Sequence, residues 1–234
     1  MDSIAGKYVL VNEPPRTGGF ASVHKAFDIT AQKLVAIKLM SRTDDPLREQ
    51  AVSREMESLR KLSHPNIIKM RDAGFDELRD AHYLVLDWVE ESLAEVLKAK
   101  VIYEWDDLAS QLAEPLVQAL SYAHLNGVEH RDIKPSNILM ADGSVPLLAD
   151  FGIAKVRQGV VSEHTLMRFG SGPYSPPEDD GEVKYVRDVY SMGVLLIQAM
   201  HQERLRSRAD VEPALQSINV PPDVRKLLAS ALSR

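Results

Sequence analysis

The sequence predicts an α+β protein, with an antiparallel, strand-rich first part followed by a mainly helical second part. Three observations carry this expectation. Tyr8 to Lys38 alternates loosely between apolar and polar residues and is rich in Val, Ala, Phe and Ile, as half-buried strands are. Trp105 to Leu125 instead sets apolar residues at 108, 112, 116, 120 and 123, along one face of a helix. Between them, around residues 88–92, the spacing changes from strand to helix and marks a junction.

Taken in order, three strands are expected at about 8–13, 20–27 and 34–40, the last two joined through Asp28-Ile29-Thr30-Ala31-Gln32. Helical spacing runs from Pro46 to Leu62, with Ala51, Met56, Leu59 and Leu62 on one face, and Pro65-Asn66 ends it. Asn66 to Met70 and His82 to Trp88 read as two further strands. After the helix at Trp105 to Leu125 come short strands around residues 128–140, then an open stretch from about 155 to 180. Apolar helices follow at Val186 to Met200 and, after Val220-Pro221-Pro222, near Asp223 to Leu232.

Composition narrows the function classes. The 234 residues, 44% of them apolar and 26% charged, suffice for a real core. A net charge of −6 makes nucleic acid an unexpected partner. With no cysteine, disulfides, thiolate catalysis and cysteine–metal sites are excluded. The start lacks a signal peptide, and the run from Met192 to Ala199 is too short to span a bilayer, so no membrane segment is expected in this piece. A cytoplasmic location is the matching expectation.

Chemistry concentrates in Val128-Glu129-His130-Arg131-Asp132-Ile133-Lys134-Pro135-Ser136-Asn137-Ile138-Leu139-Met140. Asp132 can act as a base or an orienting carboxylate, Lys134 can neutralise negative charge, and Asn137 can hold a metal through its amide oxygen. Further on, Leu147-Leu148-Ala149-Asp150-Phe151-Gly152 delivers a second carboxylate from an apolar strand to a turn. An Asn and an Asp at adjacent strand ends suit a hard cation such as Mg²⁺. The first part carries a small-residue turn, Thr17-Gly18-Gly19-Phe20-Ala21-Ser22-Val23, where backbone N–H groups can approach phosphate. Val35-Ala36-Ile37-Lys38 then sets a lysine on an apolar strand, which needs anionic partners; Glu55 and ATP phosphates are the candidates.

This combination of glycine-rich loop, V-A-I-K, H-R-D-x-K-x-x-N and D-F-G resembles the eukaryotic-like serine/threonine protein kinase family, in a bacterial member. The resemblance implies a bilobal kinase fold over 1–234, with an N-lobe of about 1–87, a hinge of about 87–90 and a C-lobe of about 91–234. It implies ATP with Mg²⁺, or Mn²⁺ in its place, bound between the lobes. Lys38 resembles the lysine on the α- and β-phosphates and Glu55 its helix partner. Asp132 resembles the catalytic aspartate, Lys134 its charge-offsetting neighbour, and Asn137 and Asp150 the metal ligands. Gly18, Gly19 and Ala21 match the nucleotide turn. Val23, Ala36 and Leu139 would sandwich adenine, Leu86 would be the gatekeeper, and Asp87-Trp88-Val89 the hinge. Leu59, Met70, His130 and Phe151 would form an apolar stack, which makes His130 structural. Lys134 favours Ser/Thr over Tyr substrates.

The activation segment would run from Asp150 to Glu178, with Thr165 and then Ser162 as phosphosites and Arg131 as their receiver. Asp188 resembles the buried aspartate that anchors the catalytic loop. Protein substrates and a homodimer for trans-autophosphorylation are the implied partners. Two departures stand out. Arg16, after Pro14-Pro15, occupies the first glycine position and stiffens the turn. Few residues follow Asp188, so a truncated or reduced C-terminal end is expected, with Glu178 lacking its late arginine. Two alternatives therefore stay open: a kinase-like scaffold or binding protein of weak catalysis, and a small-molecule kinase.

Overall fold

The computed structural model describes residues 2–18, 21–99, 103–151, 172–176, 185–201 and 203–233, with the backbone alone at 18, 47, 48, 51, 54 and 55. It contains two compact units, Met1–Ser63 with Ile68–Val89, and His64–Ile67 with Glu90–Arg234.

The first unit is an antiparallel sheet. Its strands are β1 (Ser3–Ile4), β2 (Tyr8–Leu10), β3 (Arg16–Gly18), β4 (Ala21–Asp28), β5 (Lys33–Ser41), β6 (Met70–Asp76) and β7 (Ala81–Asp87), and helix α1 (Pro46–Lys61) follows β5. The order is β1-β2-β4-β5-β7-β6, with β3 beside β4. The β4–β5 turn forms where expected, because Asp28 Oδ1 accepts the N–H groups of Thr30 (2.8 Å) and Ala31 (2.9 Å). Pro46 opens α1 and Glu49 lies in its first turn, against the positive helix end.

Cross-strand partners share a face of a sheet. Val23, Lys38 and Leu84 form one row and Lys25, Ala36 and Leu86 the next, all on one face. The alternating residues Val35, Ile37, Tyr83 and Val85 face the other way and make a core with Ile4, Tyr8 and Ala26. The strand expected over Asn66 to Met70 is absent. Ile67 makes one parallel bridge to Leu148, and the strand starts at Met70. Among the described residues β6 pairs with β7 at the edge of the sheet, and its apolar Phe75 is exposed while its Asp76 is buried, so the apolar residues do not alternate toward the core as a half-buried strand's would.

The second unit holds a small sheet, β10-β9-β8, from β8 (Glu91–Ser92), β9 (Ile138–Ala141) and β10 (Val145–Leu148). Its described helices are α2 (Leu93–Lys98), α3 (Trp105–Leu108), α4 (Glu114–Leu125), α5 (Val186–Met200), α6 (Val211–Ser217) and α7 (Pro222–Leu232). A π-helical turn, Ala109–Ala113, joins α3 to α4. Leu108, Leu112, Leu116, Leu120 and Ala123 are all buried, as the sequence spacing requires. A four-residue repeat overshoots the α-helical period of about 3.6, and the wider π turn takes up part of that drift. Among the described residues, no helix is long and apolar enough to cross a membrane.

Gly74 faces Tyr83 across the β6–β7 pair, and a Cβ there would lie 2.6 Å from the Tyr83 hydroxyl. Tyr83 is buried and its ring is rigid. Gly74→Ala should therefore cost about 1–3 kcal/mol despite the gain in chain entropy. Urea unfolding of the two proteins checks this; equal midpoints would show that the ring yields freely.

Candidate active site

The loop between α4 and β9 starts from a fixed end. The N–H of Gly127 donates to His124 O (2.9 Å) and that of Val128 to Ala123 O (2.9 Å), with Gly127 at φ 75°. This pattern closes a helix and is open chiefly to glycine. Val128 and Ile133 are buried and pin the loop to the core.

Its backbone is then held by Asp188, 1% exposed, in the first turn of α5. Asp188 Oδ1 accepts the N–H of Arg131 (2.6 Å), and Oδ2 accepts that of His130 (2.8 Å) and lies 2.8 Å from His124 Nε2. Tyr185 stacks on the His124 ring at 4.1 Å and donates its hydroxyl to His124 O. Burial pushes the Asp188 pKa up, but the His124 hydrogen bond, followed by His130 and the two backbone donors, outweighs it and holds the carboxyl below its usual 3.8.

His130 is fully buried. Its Nε2–H donates to Ala149 O (2.9 Å), which leaves Nδ1 to accept a long bond from the Asp132 N–H (3.4 Å). The ring packs on Phe151, centroids 4.5 Å apart. Both nitrogens serve the backbone, and burial lowers the pKa, so the ring is a neutral fastener between the loop and the end of β10.

The polar side chains of the loop follow. Asp132 Oδ2 accepts from Lys134 Nζ (2.7 Å) and Asn137 Nδ2 (3.0 Å), and the same amide nitrogen donates to Asp132 O (2.8 Å). A 3₁₀ turn, Pro135–Asn137, sets these side chains together. Asp142 (φ 49°) and Gly143 (φ 74°) form the left-handed hairpin turn joining β9 to β10. The Ala149 N–H then bonds Asn137 O (2.9 Å), so Asp150 emerges beside the loop at φ 62°. The Asn137 nitrogen is engaged by Asp132 and its amide oxygen accepts a long bond from Ser136 Oγ (3.4 Å); that oxygen and the Asp150 carboxylate are hard oxygen groups of the kind Mg²⁺ takes.

In the first unit, Val23, Ala36, Lys38 and Leu86 share one sheet face, and Lys38 is 2% exposed. Gly18 pairs with Ala21 and closes the β3–β4 hairpin. Asp87 is clamped by Arg71 (2.7 and 2.9 Å) and Lys33 (2.8 Å), while Val89 and, in the second unit, Leu139 are half-buried. Leu59 is buried and Met70 half-buried. Gly19, the Glu55 side chain, Ser162, Thr165 and Glu178 lie outside the described residues.

Three features escaped the sequence reading. His124 holds Asp188 from 64 positions away, so no local spacing announces it. The Arg16 guanidinium and the Lys25 ammonium sit over the Trp88 ring at 5.0 and 4.9 Å, again pairing distant residues. Glu129 takes the Arg131 Nε–H at 2.6 Å. Its signal was visible: a carboxylate between two core residues, two positions before an arginine.

Comparison with known proteins agrees with this arrangement. The family model described as protein kinase domain matches residues 17–224. The serine/threonine-protein kinase PrkC of Bacillus subtilis is 34% identical over 188 residues, covering 78% of this chain and 28% of the relative. Probable serine/threonine-protein kinases of Clostridium perfringens and Clostridium acetobutylicum are each 32% identical. These cover 77% and 96% of this chain, and 27% and 35% of the relatives. The chain thus spans about a third or less of the length of these curated relatives.

His130 gives a pH prediction. Its folded pKa lies below the ordinary 6.5, so the unfolded chain takes up the proton first as pH falls. Its contribution to stability is complete above 6.5 and shrinks from there down to the folded pKa, by up to about 1.4 kcal/mol per pH unit. Urea midpoints from pH 7.5 to 5.5 should fall more steeply for the wild type than for His130→Asn. Parallel slopes would mean the ring protonates freely in the fold.

Proposed function

The chain belongs to the protein kinase family, and from that premise we propose that it transfers the γ-phosphate of ATP to serine or threonine hydroxyls of protein substrates. The observation that carries this is the Asp132 carboxylate, held at fixed range by Lys134 and Asn137 on a loop that is itself anchored. In this reading Asp132 orients the substrate hydroxyl and accepts its proton. Lys134 offsets charge on the phosphoryl oxygens. Lys38, backed by Glu55, and the turn holding Gly18, Gly19 and Ala21 orient the phosphates, while Val23, Ala36, Leu86 and Leu139 flank the adenine and Asp87 to Val89 offer backbone groups to it. Asn137 and Asp150 would hold Mg²⁺, or Mn²⁺, which when bound supplies neutralisation of the phosphate charge. Catalysis then rests on positioning and preorganised charge.

Lys134, two residues after Asp132, supports serine and threonine over tyrosine as acceptors. Autophosphorylation at Thr165 or Ser162 within a homodimer and a cytoplasmic location complete the proposal. The scaffold reading has less support, since an idle loop has no use for an aspartate held by two polar side chains.

The test is transfer from ATP to a library of Ser- and Thr-containing peptides, beside MgATP binding by calorimetry, for the wild type and Asp132→Asn. The expected outcome is a loss of roughly 10²–10⁴-fold in transfer, with nucleotide affinity within about threefold. Equal losses in both would remove Asp132 from its role. Nucleotide binding without transfer by the wild type would favour the scaffold, and transfer confined to small acceptors the small-molecule kinase.

A further inference from the structure

We propose that Glu129 is the resident counter-ion of Arg131 and a positioning residue for Asp132, so that the loop is held in its working form without a phosphate on the chain. The inference rests on the kinase reading for its catalytic meaning, and on geometry for the contact itself.

Val128 and His130 are buried, at 7% and 0% exposure, while Glu129 and Arg131, alternating with them, meet each other at 2.6 Å. Each of these two side chains is 20% exposed, so this is not a solvated surface pair. Losing one partner of such a covered pair leaves the other charge uncompensated, which is why its removal has consequences that a surface pair lacks. The backbone makes the contact matter. Arg131 adopts φ 65°, a left-handed conformation that residues with a Cβ hold only when their surroundings enforce it. Two anchors enforce it here, from two carboxylates. Asp188 takes the Arg131 N–H and Glu129 takes the Arg131 Nε–H, both at 2.6 Å. Asp132 is the next residue, so the direction in which it leaves the loop is set by Arg131.

The same contact bears on regulation. A phosphate on Thr165 or Ser162 carries about −1.5 to −2 charge and would seek Arg131. The Glu129 carboxylate already supplies that negative charge and repels a second one. Phosphorylation of the chain should therefore alter activity little while Glu129 is present.

The test compares wild type, Glu129→Gln and Glu129→Asp, each after phosphatase treatment and after incubation with MgATP. Steady-state kinetics on a Ser/Thr peptide are read beside proton exchange at the Arg131 Nε–H by NMR. The dephosphorylated wild type should keep its kcat within about twofold of the phosphorylated form, while dephosphorylated Glu129→Gln loses about tenfold in kcat with KM unchanged. Phosphorylation should restore Glu129→Gln, and Glu129→Asp should retain most activity. The Nε–H should be protected in the wild type and exchange freely in Glu129→Gln. Wild-type kcat in Glu129→Gln, or a wild type that loses about tenfold on dephosphorylation, overturns the proposal. If the wild type transfers no phosphate, the kinase reading falls, and the Nε–H exchange still decides: equal protection in both proteins overturns the Glu129 contact, and a difference upholds it.

Discussion

One buried carboxylate sets the geometry on which the site depends. Asp188 lies 57 and 58 positions from the two backbone N–H groups it receives, and brings α5 under the loop that carries Asp132. Burying an ionised carboxylate is costly unless its lone pairs are satisfied. Here three N–H groups and the start of a helix satisfy them. The constraint acts both ways. The carboxylate stays ionised because the loop closes on it, and the loop keeps a left-handed Arg131 because the carboxylate is there. His130 then ties the inner side of the loop to Ala149, and this fixes the strand end from which Asp150 departs.

What was legible in the sequence is what short-range spacing encodes. The apolar row at 108, 112, 116, 120 and 123 is buried as expected, and α5 has the limits that hydrophobicity assigns to it. The group Asp132, Lys134 and Asn137 is assembled by one short loop, so its spacing was already its geometry. Distant pairs were not legible. His124 with Asp188, and Arg16 and Lys25 with Trp88, depend on chain reversals that no window of sequence contains. The edge strand β6 was placed too early because its Phe75 is exposed and its Asp76 buried, against the usual alternation, and the π turn was not foreseen because hydrophobic spacing does not report backbone hydrogen bonding.

The turn of the first unit gains a physical reading. Pro15 precedes β3, which among the described residues pairs only with β4, so its missing N–H breaks no ladder there. Arg16 lies over the Trp88 ring beside Lys25. Each such contact contributes about 0.5–1 kcal/mol at an exposed site, enough to favour one placement of β3 without fixing it. Arg16 thus brings the start of β3 into contact with the residue that follows β7.

Asp188 orders the loop that presents Asp132. Amide hydrogen exchange at His130 and Arg131, in the wild type and in Asp188→Asn, tests it most directly. Both amides should be strongly protected in the wild type and exchange about 10²-fold faster or more in the variant, while α4 and α7 keep their protection. Unchanged protection at both amides would contradict it, and would show that the loop holds its form without the buried carboxylate.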